Sequence, residues 1–193
     1  QAVAGGQYDF PRGLFFGGAT ASKSQLLLAQ HLPRWLAHST HVCHLDLHTG
    51  LGRSGQCRLL VDYPPTALQH QWLTDWFGAG SFESTSTSGI SYQVRGSFGR
   101  WCMARDLAPN YLFAFAEFGT YPPLRLLAAL RTENQLFHWA AADAAALEQA
   151  RMRLTELYCP ESPRWRAQVI THAMLLAEQA HRGLLQADRP AQI

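Results

Sequence analysis

The residues best suited to chemistry lie in the run Leu45-Asp46-Leu47-His48-Thr49-Gly50-Leu51-Gly52. Upstream of its glycines, Val42, His44, Asp46 and His48 alternate with Cys43, Leu45 and Leu47. That period of two predicts a β-strand with one polar and one apolar face. The strand opens into a glycine loop, where the backbone can turn sharply and approach a ligand closely. Ends of strands in α/β sheets are where ligands bind. An imidazole and a carboxylate there suit metal ligation, or the orientation of a ligand. In an extended strand His44 and His48 stand about 13 Å apart, so one metal with bonds near 2 Å cannot take both. His48, at the strand end, is the candidate ligand. Asp46, about 6.6 Å back on the same face, is the candidate for orienting it or a substrate. His41 and His44 read as ordinary residues.

The second candidate is Glu117, near the end of Tyr111 to Phe118, a run otherwise aromatic and apolar. Such a run predicts a strand covered on both faces. A carboxylate at its mouth is costly unless something uses it, which makes Glu117 a candidate acid–base group. Arg95, Arg100 and Arg53 are weaker candidates for meeting an acidic substrate group, with Tyr92 and Tyr121 as further cleft candidates. Glu178-x-x-His181 has a helical metal-ligand spacing but falls on an exposed-looking helix. No Gly-x-Ser-x-Gly elbow accompanies the Ser/Thr-rich stretch at Ser84 to Ser88, and no glycine-rich phosphate cradle is present.

These residues need elements to hold them. A helix carrying Leu26, Leu27, Leu28, Leu32, Trp35 and Leu36, capped by Ser22 or Ser24 and disturbed by Pro33 near its end, precedes the His41–His48 strand. A strand over Gln56 to Asp62 and a helix over Ala67 to Phe77 follow, then a surface loop without packed structure over Gly78 to Gly89. Ile90 to Val94 reads as a short strand and Ser97 to Asp106 as a short helix. After the Glu117 strand come helices over about Leu124–Ala140, Asp143–Leu157 and Pro163–Leu185, with a frayed tail from Gln186. Strands alternating with helices predict an α/β fold with a mostly parallel or mixed sheet. The chain of 193 residues, 47% apolar, fits one globular domain, 1–193. A net charge of +2 without a basic run argues against nucleic acid as a partner, and no apolar stretch is long enough to span a bilayer. Four scattered cysteines without CxxC spacing read as reduced thiols of a cytoplasmic protein.

The blocks Asp46-Leu47-His48-Thr49-Gly50-Leu51-Gly52 and Glu117-Phe118-Gly119-Thr120, in this order, resemble the zinc carboxypeptidase superfamily. The nearest branch is DUF2817, close to the aspartoacylase and succinylglutamate desuccinylase group. Softer matches are Gly6-Gln7-Tyr8, Gly13-Leu14-Phe15-Phe16-Gly17-Gly18, Arg131-Thr132-Glu133-Asn134 and Trp165-Arg166. The resemblance implies a three-layer α/β sandwich with a mixed, mostly parallel sheet. It implies zinc as cofactor, His48 as a zinc ligand, Glu117 as general base and Asp46 as a residue behind the ligand. The implied activity is hydrolysis of amide or peptide bonds, of the metallocarboxypeptidase or N-acyl amino acid amidohydrolase type, with a small molecule or peptide as substrate. In that family zinc lowers the pKa of its bound water to about 7 and polarises the scissile carbonyl. The family's zinc-binding His-x-x-Glu and its substrate-gripping arginine motif, both upstream in the family, do not occur in these residues. The expectation is therefore that the chain, starting at Gln1, is the C-terminal part of such a domain with its N-terminal portion missing, inactive alone and weak in zinc binding. A metal-free pseudoenzyme or binding domain that keeps the cleft is the alternative. Unpaired strand edges then predict association with the missing segment or with a second copy.

Overall fold

A computed structural model of the chain describes residues 5–84, 96–140 and 143–188. The predicted strand at Ile90–Val94, and with it Tyr92 and Arg95, lies outside the described residues.

The described elements are α1 (Lys23–Leu36), β1 (His41–Gly50), β2 (Cys57–Val61), α2 (Ala67–Phe77), β3 (Phe82–Ser84), α3 (Phe98–Met103), β4 (Asn110–Gly119), α4 (Pro123–Trp139), α5 (Ala144–Tyr158) and α6 (Pro163–Ala187); all but β3 fall where the sequence predicts an element of that type. The strands form an open, mixed and mostly parallel sheet in the order β1-β4-β2-β3, an α/β arrangement. Backbone bonds fix the directions. Asn110 N–H donates to Thr40 O and Thr120 N–H to Gly50 O, so β1 and β4 run parallel. Gly119 N–H donates to Gln56 O, while the Tyr63 hydroxyl bonds Phe113 at the other end, so β2 runs against β4. β3 runs parallel to β2 with Leu59 opposite Phe82. Among the described residues no helix is long and apolar enough to cross a membrane. All four cysteines are free thiols.

By contact density the chain forms two compact units. The first comprises Gln1–Ala19, His48–Cys57 and Glu117–Thr171; the second comprises Thr20–Leu47, Arg58–Ala116 and His172–Ile193. In the described part of the first, α4 and α5 pack together around Leu126, Ala129 and Leu157, with Tyr121, Leu154 and Tyr158 against them. In the second, Leu59, Val61, Leu112, Phe113 and Cys102 are almost wholly buried. There Trp72 and Trp76 of α2 stack with ring centroids 4.9 Å apart. The start of α2 is set by a capping box: Thr66 Oγ1 accepts from Gln69 N–H and Gln69 Oε1 accepts from Thr66 N–H.

Three expectations need correction. The stretch Gly78 to Gly89 is not wholly without packed structure, because Phe82–Ser84 forms β3. Leu59 N–H reaches Ser81 O, and the Arg58 guanidinium bonds Gly80 O and pairs with Glu83 at 3.2 Å. A three-residue strand in a polar run is held by its neighbour, which local composition does not reveal. β1 does not divide into a polar and an apolar face. His44 Nδ1 lies 2.7 Å from the Tyr111 hydroxyl, with its ring edge-on to Phe98 and Phe113, whereas Leu47 is exposed. Of the tail expected to fray over Gln186–Ile193, Gln186 and Ala187 are helical, and 189–193 lie outside the described residues. Pro33 is accommodated in the last turn of α1, where little helix remains to be disrupted.

Candidate active site

The site is built in the first unit where the end of β4 meets the glycine loop that follows His48. β4 is an almost fully buried strand, and Glu117 near its end is only 8% exposed. A buried carboxylate requires hydrogen-bond donors. One comes from the loop: Leu51 N–H donates to Glu117 Oε1 at 2.8 Å. The chain reaches that geometry because Gly50 adopts φ +146°, a conformation that side chains other than glycine rarely take. A Cβ on Gly50 would stand 3.6 Å from Glu117 Oε1 and 3.6 Å from Cε1 of Tyr158. Glu117, the loop and the Tyr158 ring therefore surround one small region.

Several bonds lace the loop to the segment after Glu117. Thr120 Oγ1 donates to Gly50 O at 3.2 Å. Gly119 O accepts both Gly55 N–H at 3.0 Å and the Trp165 indole N–H at 2.9 Å. A Cβ on Gly119 would meet the backbone of Gly52 and Arg53. Only glycine allows the two backbones this approach. The order Glu117-Phe118-Gly119-Thr120 thus has a physical role for each polar or small member.

The surroundings are electrostatically uneven. Burial, and after it the Glu117 charge, together push the Cys57 thiol up to about 11. Burial and then Glu117 also raise the Tyr158 phenol. Cys57, beside the loop, and Tyr158, at the end of α5, are neighbours of Glu117 that the sequence did not single out. Neither belongs to a motif, and Tyr158 falls one residue beyond the helix predicted over Asp143–Leu157, although the observed α5 includes it.

The other predicted residues fall as follows. His48 belongs to the same unit as Glu117 and is solvent-exposed at the end of β1. Asp46 is half-buried in the second unit, where its charge opposes the lowering that burial imposes on His44. Arg100, on α3 of the second unit, donates from Nε to Asp62 O at 2.7 Å. Tyr121 donates to Glu156 at 2.6 Å, and its ring lies 5.1 Å from the Arg125 guanidinium carbon. Glu178 and His181 are exposed on α6.

Among the described residues there is no group of three or more His, Cys, Asp or Glu placed to hold a metal ion. A catalytic zinc takes three protein ligands and leaves a fourth position open. These donors do not fit a zinc centre by themselves.

A family model described as a protein of unknown function (DUF2817) matches residues 1–172. No curated protein and no solved structure matches the chain.

Proposed function

The chain belongs to the DUF2817 family, and on that footing we propose that it carries the base-bearing part of a zinc-type amide or peptide hydrolase. The observation that supports this reading is Glu117: a carboxylate buried at the end of an apolar strand and oriented by Leu51 N–H, from the loop that opens two residues after His48. In this reading Glu117 removes a proton from water as the water oxygen attacks the scissile carbonyl. It then delivers that proton to the amine as the C–N bond breaks. Burial in a wall built from Leu126, Tyr158 and the 50–55 loop keeps competing solvent from the carboxylate and strengthens its interactions. His48 is the one residue offered here to a metal, so zinc binding requires donors that these residues do not supply. A metal-free binding domain is the second reading, favoured by the lack of a three-donor group among the described residues.

Metal content by mass spectrometry separates the two. The test compares the 193-residue chain with a form extended upstream to include a His-x-x-Glu. The hydrolase reading expects about one zinc per chain in the extended form only, lost on His48→Ala. In that form Glu117→Gln retains the metal and lowers kcat on an N-acyl amino acid by roughly 10²–10⁴-fold. A coding sequence without an upstream His-x-x-Glu, or an extended form free of zinc, overturns the hydrolase reading.

A further inference from the structure

The second unit contains a cleft of about 410 Å³ lined in part by Arg100, which the Glu117 chemistry proposed above does not use. Its volume is that of a small-molecule site. One side is built by α3 and the residue that caps its C-terminus: Arg100, Met103 and Ala104 follow one another at i, i+3 and i+4 and line the same side. The other side is Tyr63 and Pro64, just after β2, with Thr66 and Gln69 at the start of α2.

The polar groups around this cleft differ in what they have left to offer. The Tyr63 hydroxyl donates to Phe113 O at 2.9 Å and accepts Phe113 N–H at 3.1 Å. Gln69 donates from Nε2 to Tyr111 O at 2.8 Å and accepts Thr66 N–H at Oε1. Thr66 Oγ1 accepts Gln69 N–H. These three groups are committed to holding the walls. Arg100 is different. Its Nε is pinned to Asp62 O at 2.7 Å, which fixes the guanidinium, while among the described residues neither terminal nitrogen has a hydrogen-bond or carboxylate partner. A guanidinium has five donors, so the described residues leave most of its capacity for a ligand. The adjacent arginine offers a contrast, because Arg105 lies 3.7 Å over the Trp101 ring and bonds Trp101 O.

Asp62, whose main-chain carbonyl holds Arg100, also carries a carboxylate that could compete for the guanidinium. Its side chain is 4% exposed, Ser97 donates to its Oδ2, and its Oδ1 packs where any side chain on Gly99 would sit. It is held inside the unit under α3, and Arg100 takes its main-chain carbonyl instead of its carboxylate.

We propose that this cleft binds a small organic carboxylate with an apolar body, the carboxylate on the two terminal nitrogens of Arg100 and the body against Met103, Ala104, Pro64 and the Tyr63 ring. Planar paired donors match a carboxylate in a bidentate fork, and the apolar wall supplies the remaining contact. The proposal stands independently of the hydrolase reading.

Benzoate is the probe, with benzamide as its neutral counterpart of the same shape. In protein-observed NMR, benzoate is expected to shift the amide signals of Met103 and Ala104 and the Arg100 Nε–H signal saturably. Benzamide is expected to bind roughly tenfold or more weakly, the loss that a hydrogen bond to a charged group carries. Arg100→Gln is expected to remove the benzoate response. Because that variant also gives up the bond to Asp62 O, the wild-type comparison of benzoate with benzamide decides if α3 loosens. Equal binding of the two probes, or no saturable shift with benzoate, overturns the proposal.

Discussion

Glu117 separates two roles that a buried acid can play. As the acceptor for Leu51 N–H it closes the loop, and as a carboxylate it offers a base. Replacement by alanine leaves a part-buried N–H without its acceptor, at a cost of about 1–3 kcal/mol. Glu117→Gln keeps an acceptor oxygen in the same place and is expected to cost less than about 1 kcal/mol. Urea unfolding of the two variants reads this difference directly. Equal and negligible losses, within about 0.5 kcal/mol, would instead make Glu117 an ordinary surface acid. The motif that contains Glu117 was legible in the sequence as a charge at the end of an apolar run. Its neighbours Cys57 and Tyr158 were not, because their relation to it is made by chain segments far apart in sequence.

At the level of elements, helices with strong end signals could be located from the chain alone. The predicted helix Ala67–Phe77 has the observed bounds, since Thr66 and Gln69 form a capping box and Gly78 takes φ +92° at its other end. Packing between helices is a separate matter, and Gly183 of α6 illustrates it. A Cβ there would press into the indole of Trp76 on α2. Alanine is favoured over glycine in a helix interior by about 1 kcal/mol, while overpacking a close contact costs about 1–3 kcal/mol. The steric term is the larger. Gly183→Ala is therefore expected to lower Tm in a thermal melt, and a raised Tm would mean that Trp76 yields at no cost. Nothing in the local sequence around Gly183 announces this contact.

The protonation behaviour of the whole molecule follows from how many weak acids it encloses. Burial pushes the Cys43 thiol from its ordinary 9.0 to about 12. It pushes Tyr63 from 10.0 to about 12, with the Asp62 charge adding to the effect and the hydrogen bond to Phe113 opposing it. Cys57 moves from 9.0 to about 11. Each group holds its proton more tightly in the fold than in the unfolded chain. Above about pH 9 the unfolded chain therefore binds fewer protons than the folded one, and stability falls as pH rises. The contribution is intact below pH 9 and is lost progressively up to about pH 12. Denaturant unfolding between pH 8 and pH 11 is expected to show a falling midpoint, measured under reducing conditions. A flat midpoint across that range would mean that these groups titrate as if exposed.

Periodicity, caps and glycine punctuation determined the α/β class, the order of the longer elements and the two blocks around His48 and Glu117, because each is a property of neighbouring residues. The tertiary structure decided what distance along the chain conceals. It brought Leu51 N–H onto Glu117, held β3 beside β2, placed the supposedly polar-face His44 among aromatic rings, and tied Arg100 to Asp62 above an apolar cleft. Those features depend on which backbones meet and which donors go unmet after they do. Such pairings arise only when a strand has neighbours.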